Sequence, residues 1–120
     1  MSFEKLKITN FGKTYQVYFS LNTYVNNNTL AVSLLCDDGE YYDVPYMTIS
    51  KNLGIALAPG WIYVDENNNP GITDWLVSNK LGVCSGSFGY SGYCKYPLFK
   101  FDYEELMKYT KYKRIESSWL

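Results

Sequence analysis

The strongest constraint on the fold is a strict alternation of apolar and polar residues between Lys13 and Val25. Tyr15, Val17, Phe19 and Leu21 fall on one face of an extended chain, and more polar residues fall on the other. A period of two is the pattern of a β-strand with one buried face. The sequence therefore predicts a long strand here, with one side against a core.

Two turns and two further strands extend this strand into an antiparallel meander. Three consecutive asparagines at 26–28 predict a turn, because Asn tolerates positive φ. A strand from Leu30 to Cys36 follows, and then a second turn with Gly39 at its left-handed position. The third strand runs from Tyr41 to Ile49, and Pro45 favours a place at the sheet edge because proline cannot donate to a central ladder.

The remaining elements are shorter, and together they predict a single α+β domain over residues 1–120. They are an edge strand at Lys7 to Phe11, a strand at Trp61 to Val64, a helix from Asp74 to Leu81 with Thr73 as N-cap and Gly82 past its end, a glycine loop from Val83 to Gly92, an extended segment from Tyr93 to Phe101, and a helix opened by Asp102 and running toward Tyr109. Residues 110–120 are predicted to be a C-terminal tail, frayed unless Trp119 docks. The predicted architecture is one antiparallel sheet, a meander of about four to six strands, with two short helices.

The chain contains no histidine, which narrows the chemistry that we expect. Ser-His-Asp and Cys-His catalysis need an imidazole, and so do the usual zinc ligand sets. Three cysteines without a Cys-x-x-Cys pair favour neither a metal nor a redox site, so we predict no cofactor. Cys84 and Cys94 flank the glycine loop; we expect reduced thiols there, with a disulfide as the open alternative.

The charge balance predicts that nucleic acid is not the ligand. Twelve acidic and eleven basic residues give a net charge of −1, and Arg114 is the single arginine. A protein that binds nucleic acid by neutralising its phosphates requires a clear excess of basic over acidic residues. No apolar run approaches the roughly 18 residues of a membrane span, and the N-terminus lacks a signal-peptide core, so we expect a cytoplasmic protein without membrane contact.

The glycine-rich segment 86–92 is the candidate functional region. It lacks the Gly-Lys-Ser/Thr ending of a phosphate loop, and it follows a predicted helix instead of preceding one. A peptide or glycan contact remains open, and we predict a contact surface for a protein partner. Its candidate contact residues are Phe88, Tyr90, Tyr93, Trp61, Asp65 and Asn67.

Three stretches also carry a resemblance to a known family. They are V-D-E-N-N-N-P at Val64 to Pro70, then Gly82, and S-G-Y-C-K-Y-P-L-F-K-F-D at Ser91 to Asp102. Over about Leu6 to Tyr109 the chain resembles domain of unknown function 4313, a family of small bacterial proteins often encoded on mobile elements in Gram-positive and gut bacteria. The resemblance implies a cytoplasmic, single-domain protein in a mobile-element context, and no activity or catalytic residue.

Three functions remain open at this point. The first is a non-catalytic protein-binding module of a mobile element. The second is a phage- or plasmid-encoded inhibitor of a host defence nuclease, with the acidic cluster of Asp37, Asp38, Glu40 and Asp43 as bait. The third is a small enzyme that uses paired carboxylates, which the missing histidine and the small size disfavour.

Overall fold

A computed structural model describes residues 3–37 and 39–115, which form nine strands and two helices in two sheets. The elements are β1 (Leu6–Asn10), β2 (Lys13–Thr23), β3 (Leu30–Cys36), β4 (Val44–Thr48), β5 (Ser50–Lys51), β6 (Trp61–Val64), α1 (Ile72–Ser78), β7 (Gly82–Ser91), β8 (Cys94–Phe101), α2 (Tyr103–Lys108) and β9 (Thr110–Lys113). The predicted α+β content and the mainly antiparallel pairing are confirmed.

The first sheet has the order β1-β2-β3-β4 and is built as the alternation predicts. Val17, Phe19 and Leu21 of β2 are fully buried, and they lie opposite Cys36, Leu34 and Val32 of β3. The turns also match, because Asn28 and Gly39 have φ of 58° and 90°. As Pro45 predicts, β4 lies at an edge of this sheet.

The prediction of a single sheet is wrong. The chain leaves the first sheet at Ile49, whose N–H donates to the Val32 carbonyl (2.9 Å) and whose carbonyl accepts from the Asp65 N–H (2.7 Å). A second sheet then forms in the order β5-β6-β8-β7. Ile62 and Phe99 join the β2 and β3 side chains in one core, so packing two sheets together buries an apolar face of each.

The prediction of a glycine loop between Val83 and Gly92 is also wrong, because Gly82–Ser91 is a strand that pairs with β8. Gly89 is buried where a Cβ would lie 2.6 Å from Cε1 of Tyr63 and 2.5 Å from Cδ1 of Leu53. This glycine therefore permits close packing inside a strand. Only residues 85–87 depart from the ladder, as a bulge between Cys84 and Phe88.

The first helix begins earlier and ends earlier than predicted, at Ile72–Ser78. Glu66 explains the start: its carboxylate accepts from the N–H of Gly71 (2.5 Å) and from the N–H of Thr73 (3.0 Å), so Thr73 is inside the helix and is not its cap. Gly82 opens β7 and does not end the helix. The second helix is confirmed, with the Asp102 side chain accepting from the Glu105 N–H at 3.3 Å.

The predicted tail is partly structured. Thr110–Lys113 forms β9, which pairs in parallel with β2 around Phe19 to Leu21. It occupies the edge of β2 beyond the stretch that β1 covers. Trp119, whose docking the sequence left open, lies outside the described residues.

The helices of the described residues include none that is long and apolar enough to cross a membrane.

Candidate functional site

The β7–β8 hairpin presents aromatic side chains at the edge of the second sheet. Phe88 and Tyr90, two positions apart on β7, are 41% and 69% exposed, and Tyr93 in the connecting turn is fully exposed. In the described part of the chain, β8 is the single strand that pairs with β7. We call Phe88, Tyr90 and Tyr93 the hairpin surface; the structure brings these three predicted contact residues together on one hairpin.

A lysine of β8 lies against this surface. Lys95 is directly opposite Tyr90 in the register, and its Nζ lies 4.5 Å from the centre of the Phe88 ring. An ammonium over an aromatic face is attracted by the ring quadrupole. The contact therefore places a positive charge beside the free edge of β7.

The other three predicted contact residues lie elsewhere. Trp61 is half-buried on β6, with β8 between it and β7. Asp65 is 7% exposed, and its carboxylate accepts from the N–H and the side-chain amide of Asn68 at 3.3 and 2.8 Å. Asp65 therefore stabilises its own turn and is mostly buried. Asn67 is exposed in the same turn.

The charges of the two sheets are arranged differently. The strands β5 to β8 of the second sheet contain no acidic residue. Their lysines lie over rings: Lys51 over Tyr96 (5.7 Å), Lys95 over Phe88 (4.5 Å) and Lys100 over Trp61 (5.9 Å). Lys5 and Lys111, by contrast, pair with carboxylates beside the first sheet. The second sheet thus carries three lysines that form no salt bridge with a carboxylate of the described residues.

Cys84, inside β7, and Cys94, the first residue of β8, do not form a disulfide. Cys84 lies opposite Phe99, five residues along β8 from Cys94, which is about 17 Å for an extended chain. That separation is far beyond the roughly 7 Å that a disulfide spans. Burial raises the pKa of the Cys84 thiol, and Asp74 and Glu66 add to the effect.

A second cluster, which sequence reasoning missed, surrounds Asp43. Its carboxylate accepts from the hydroxyl of Tyr18 (2.6 Å), from Nζ of Lys111 (2.9 Å) and from the hydroxyl of Tyr112. The bond from Lys111, with those from the two tyrosines, lowers the pKa of Asp43 to about 2. Burial, followed by the bond to Asp43, raises the pKa of Tyr18 to about 12. These bonds join β9 to β2 and to the turn before β4. We call this cluster of Asp43, Tyr18, Lys111 and Tyr112 the latch, because it holds β9 against the first sheet.

In the acidic cluster proposed as bait, the carboxylates of Asp37 and Asp43 are bonded to groups of the same chain. Asp43 belongs to the latch, and Asp37 bonds to Lys5 (3.2 Å) and to the N–H of Gly39 (2.9 Å). The Gly39 bond, and then the Lys5 bond, lower the pKa of Asp37. Asp38 lies outside the described residues.

A groove of about 390 Å³ lies between the β1–β2 turn and the start of α1. None of the side chains that line it is ionisable, and two of its polar groups are already bonded: Trp75 Nε1 donates to the Lys7 carbonyl and Asn69 Nδ2 to the Thr48 carbonyl. Within residues 3–37 and 39–115, no three Cys, Asp or Glu side chains are grouped to hold a metal ion. The hairpin surface is therefore the stronger candidate.

Comparison with known proteins supports the resemblance seen in the sequence. The family model described as Domain of unknown function (DUF4313) matches residues 18–117. No curated protein and no solved structure matches the chain.

Proposed function

We propose that this chain, which belongs to the DUF4313 family of domains of unknown function, is a non-catalytic module that binds a protein partner through its β7–β8 hairpin. The observation that carries the proposal is the exposure of Phe88, Tyr90 and Tyr93 on a hairpin whose strand β7 has a free edge in the described residues.

The edge of β7 lacks most of the usual protection against pairing with other chains. Natural edge strands are blunted by short length, by prolines, by charged residues or by β-bulges. The edge strand β4 contains Pro45, and the edge strand β5 has only two residues. By contrast, β7 has ten residues, none of them charged and none a proline; the bulge at 85–87 is its one such device, and it leaves Phe88 to Ser91 regular. A long neutral edge of this kind supports a binding role.

The exposed side chains suit protein recognition. Tyrosine and phenylalanine bring a large contact area with few rotatable bonds, and aromatic residues are enriched among the side chains that dominate interface energies. Tyr90 and Tyr93 also carry hydroxyls that can bond to a partner at the rim. The hairpin surface therefore combines the two properties that anchor a protein interface.

In this proposal the partner is met in the bacterial cytoplasm, and the chain is an accessory protein of a mobile element. This context is carried over from the family resemblance described in the sequence analysis, and it stays a prediction. The alternative of a defence inhibitor with an acidic bait gains no support, because the carboxylates of Asp37 and Asp43 are bonded to lysines of the same chain.

Affinity capture followed by native mass spectrometry tests the proposal. The tagged chain is expected to retain a stoichiometric protein from lysate of its natural host, and the double variant Phe88→Ala/Tyr90→Ala to lose it. Tyr42→Ala is the matched control, because Tyr42 is 75% exposed outside the second sheet. Retention by the double variant, or turnover of a small molecule with no bound protein, would contradict the proposal.

A further inference from the structure

We infer that the segment bound by β7 is an extended, acidic peptide strand, which adds to the second sheet as its fifth strand. This inference rests on the proposed function and specifies the chemistry of the partner.

The first step is the backbone of β7. In an antiparallel ladder, alternate residues of an edge strand point their N–H and C=O groups away from the neighbouring strand. The bulge at 85–87 interrupts β7, so the regular pairing next to the turn is Phe88 to Ser91. An extended peptide that continues a ladder gains main-chain hydrogen bonds there, and its alternate side chains give specificity.

The second step is the charge of one face. Phe88, Tyr90 and Lys95 share a face of the sheet, because Phe88 and Tyr90 are two positions apart and Lys95 lies opposite Tyr90. The Lys95 ammonium lies over the Phe88 ring and has no carboxylate partner in the described residues. An added strand places alternate side chains on this face, and carboxylates at those positions are attracted to Lys95.

The third step is the opposite face, where Leu53 and Tyr63 fill the space that a side chain at position 89 would occupy. A side chain of the added strand opposite Gly89 meets no side chain from β7 itself, and we expect it to lie beside the Leu53 methyl and the Tyr63 ring. Apolar, β-branched residues suit these positions. The preferred strand therefore alternates acidic and apolar residues.

The same charges disfavour a second copy of this chain as the occupant. Edge-to-edge pairing of two copies would join two second sheets. The strands of each sheet together carry three lysines and no acidic residue. Potentials of like sign weaken such an interface and slow its formation, whereas an acidic strand gains from them.

Two capped peptides of eight residues test the inference with the full chain: one alternates Glu and Val, and the other alternates Lys and Val. Amide hydrogen exchange, followed residue by residue by NMR, is the readout. We expect the Glu peptide to slow exchange at alternate amides of residues 88–91, and the Lys peptide to leave them unchanged. The affinity of the Glu peptide for the chain should weaken with added salt, because exposed charges are screened.

The variant Lys95→Glu should weaken binding of the Glu peptide by about tenfold. Lys13→Glu is the matched control and should leave it unchanged, since Lys13 also lies over a ring, that of Tyr15 at 5.1 Å, but on the first sheet. Equal binding of both peptides, binding without protection of β7, or no binding overturns the inference. Protection that appears without peptide and rises with protein concentration also overturns it, in favour of a second copy.

The two proposals fail differently. If a captured host protein depends on Phe88 and Tyr90 while the β7 amides stay unprotected in that complex, the proposed function stands and the acidic strand is wrong. If the Glu peptide protects β7 but no host protein is captured, the inference about chemistry stands and the proposed function fails.

Discussion

The Nζ atom of Lys95 lies 4.5 Å from the centre of the Phe88 ring, across the last two strands of the second sheet. The ring is 41% exposed, so the contact is held at the surface and not by the core. A cation–π contact at an exposed site contributes about 0.5–1 kcal/mol. It therefore restrains the Phe88 ring and the Lys95 side chain, which would reduce the entropy lost when the proposed partner binds.

Two glycines of β7 are predicted to resist replacement. A Cβ on Gly82 would lie 2.1 Å from the Lys100 carbonyl oxygen, and a Cβ on Gly89 would lie 2.6 Å from Cε1 of Tyr63. Gly89→Ala should lower the free energy of unfolding by about 1–3 kcal/mol, and Gly82→Ala by more, because a backbone oxygen yields less than a side chain.

Urea denaturation measures both changes. Ser91→Ala, at an exposed position of the same strand, is the control and should stay within about 0.5 kcal/mol of the wild type. Equal stability of Gly82→Ala and wild type would show that the β7–β8 register differs from the one described.

The latch predicts a dependence of stability on acid. The folded state holds the pKa of Asp43 at about 2, below the ordinary 3.8. Its contribution is complete above the ordinary pKa and is lost as the pH falls through the folded pKa. Asp43→Asn should therefore be less stable than the wild type by about 1 kcal/mol at pH 7, since hydrogen bonds to a charged group are lost.

The difference in unfolding free energy between Asp43→Asn and the wild type should narrow as the pH falls from about 4 toward 2. Unfolding free energies measured along that series test it, with the exposed Glu4→Gln as a control that shows no such narrowing. A gap that is constant down to the lowest pH contradicts the latch.

The same latch predicts an alkaline limit at Tyr18. The folded state raises the pKa of this phenol to about 12, above the ordinary 10. The stabilisation is fully present below pH 10 and is lost as the pH rises through the folded pKa, because the unfolded chain releases the proton first. We expect Tyr18→Phe to be less stable than the wild type by about 1 kcal/mol at neutral pH. Above about pH 10 its unfolding free energy should approach that of the wild type.

Unfolding free energies of both proteins between about pH 8 and 11 provide the measurement. Other groups titrate in this range in both proteins alike, so the difference between the two isolates Tyr18. A difference that widens with rising pH is the opposite of the expected sign and rules out the described bonding of Tyr18.

Local sequence patterns were enough to predict the main strands and turns of the first sheet. The alternation around Val17 and Phe19 needs only the pleat of a strand, and the turn at Gly39 needs only a residue that tolerates positive φ. The cap at Asp102 is likewise a short-range hydrogen bond. These features are encoded within a few residues, so the sequence was sufficient to predict them.

The elements that were missed depend on distant contacts. Gly89 suggested a loop because glycine is a poor strand former, and its close approach to Tyr63 appears only in the folded sheet. The parallel pairing of β9 joins residues about 90 positions apart, near Ser20 and Tyr112, and no local pattern records it. The helix start fixed by Glu66 was also missed, although this carboxylate lies only five residues before Gly71.

The candidate site was predictable in part. Phe88, Tyr90 and Tyr93 follow from their place around glycines, and the structure brings them onto one hairpin. The Asp65 carboxylate is bonded within its own turn, and the sequence does not show which carboxylates a turn uses in this way. The latch at Asp43 escaped because its partners Tyr18 and Lys111 lie 25 and 68 residues away.

The most direct test of the central claim is the dissociation constant of the captured partner for three proteins: wild type, Phe88→Ala/Tyr90→Ala and Tyr42→Ala. We predict that the double variant binds about thirtyfold more weakly or worse, as loss of an interface hot spot of about 2 kcal/mol implies. Its melting temperature should stay within a few degrees of the wild type, and Tyr42→Ala should bind normally. Unchanged affinity of the double variant, or a loss of affinity accompanied by a sharp fall in melting temperature, would contradict a binding surface on the β7–β8 hairpin.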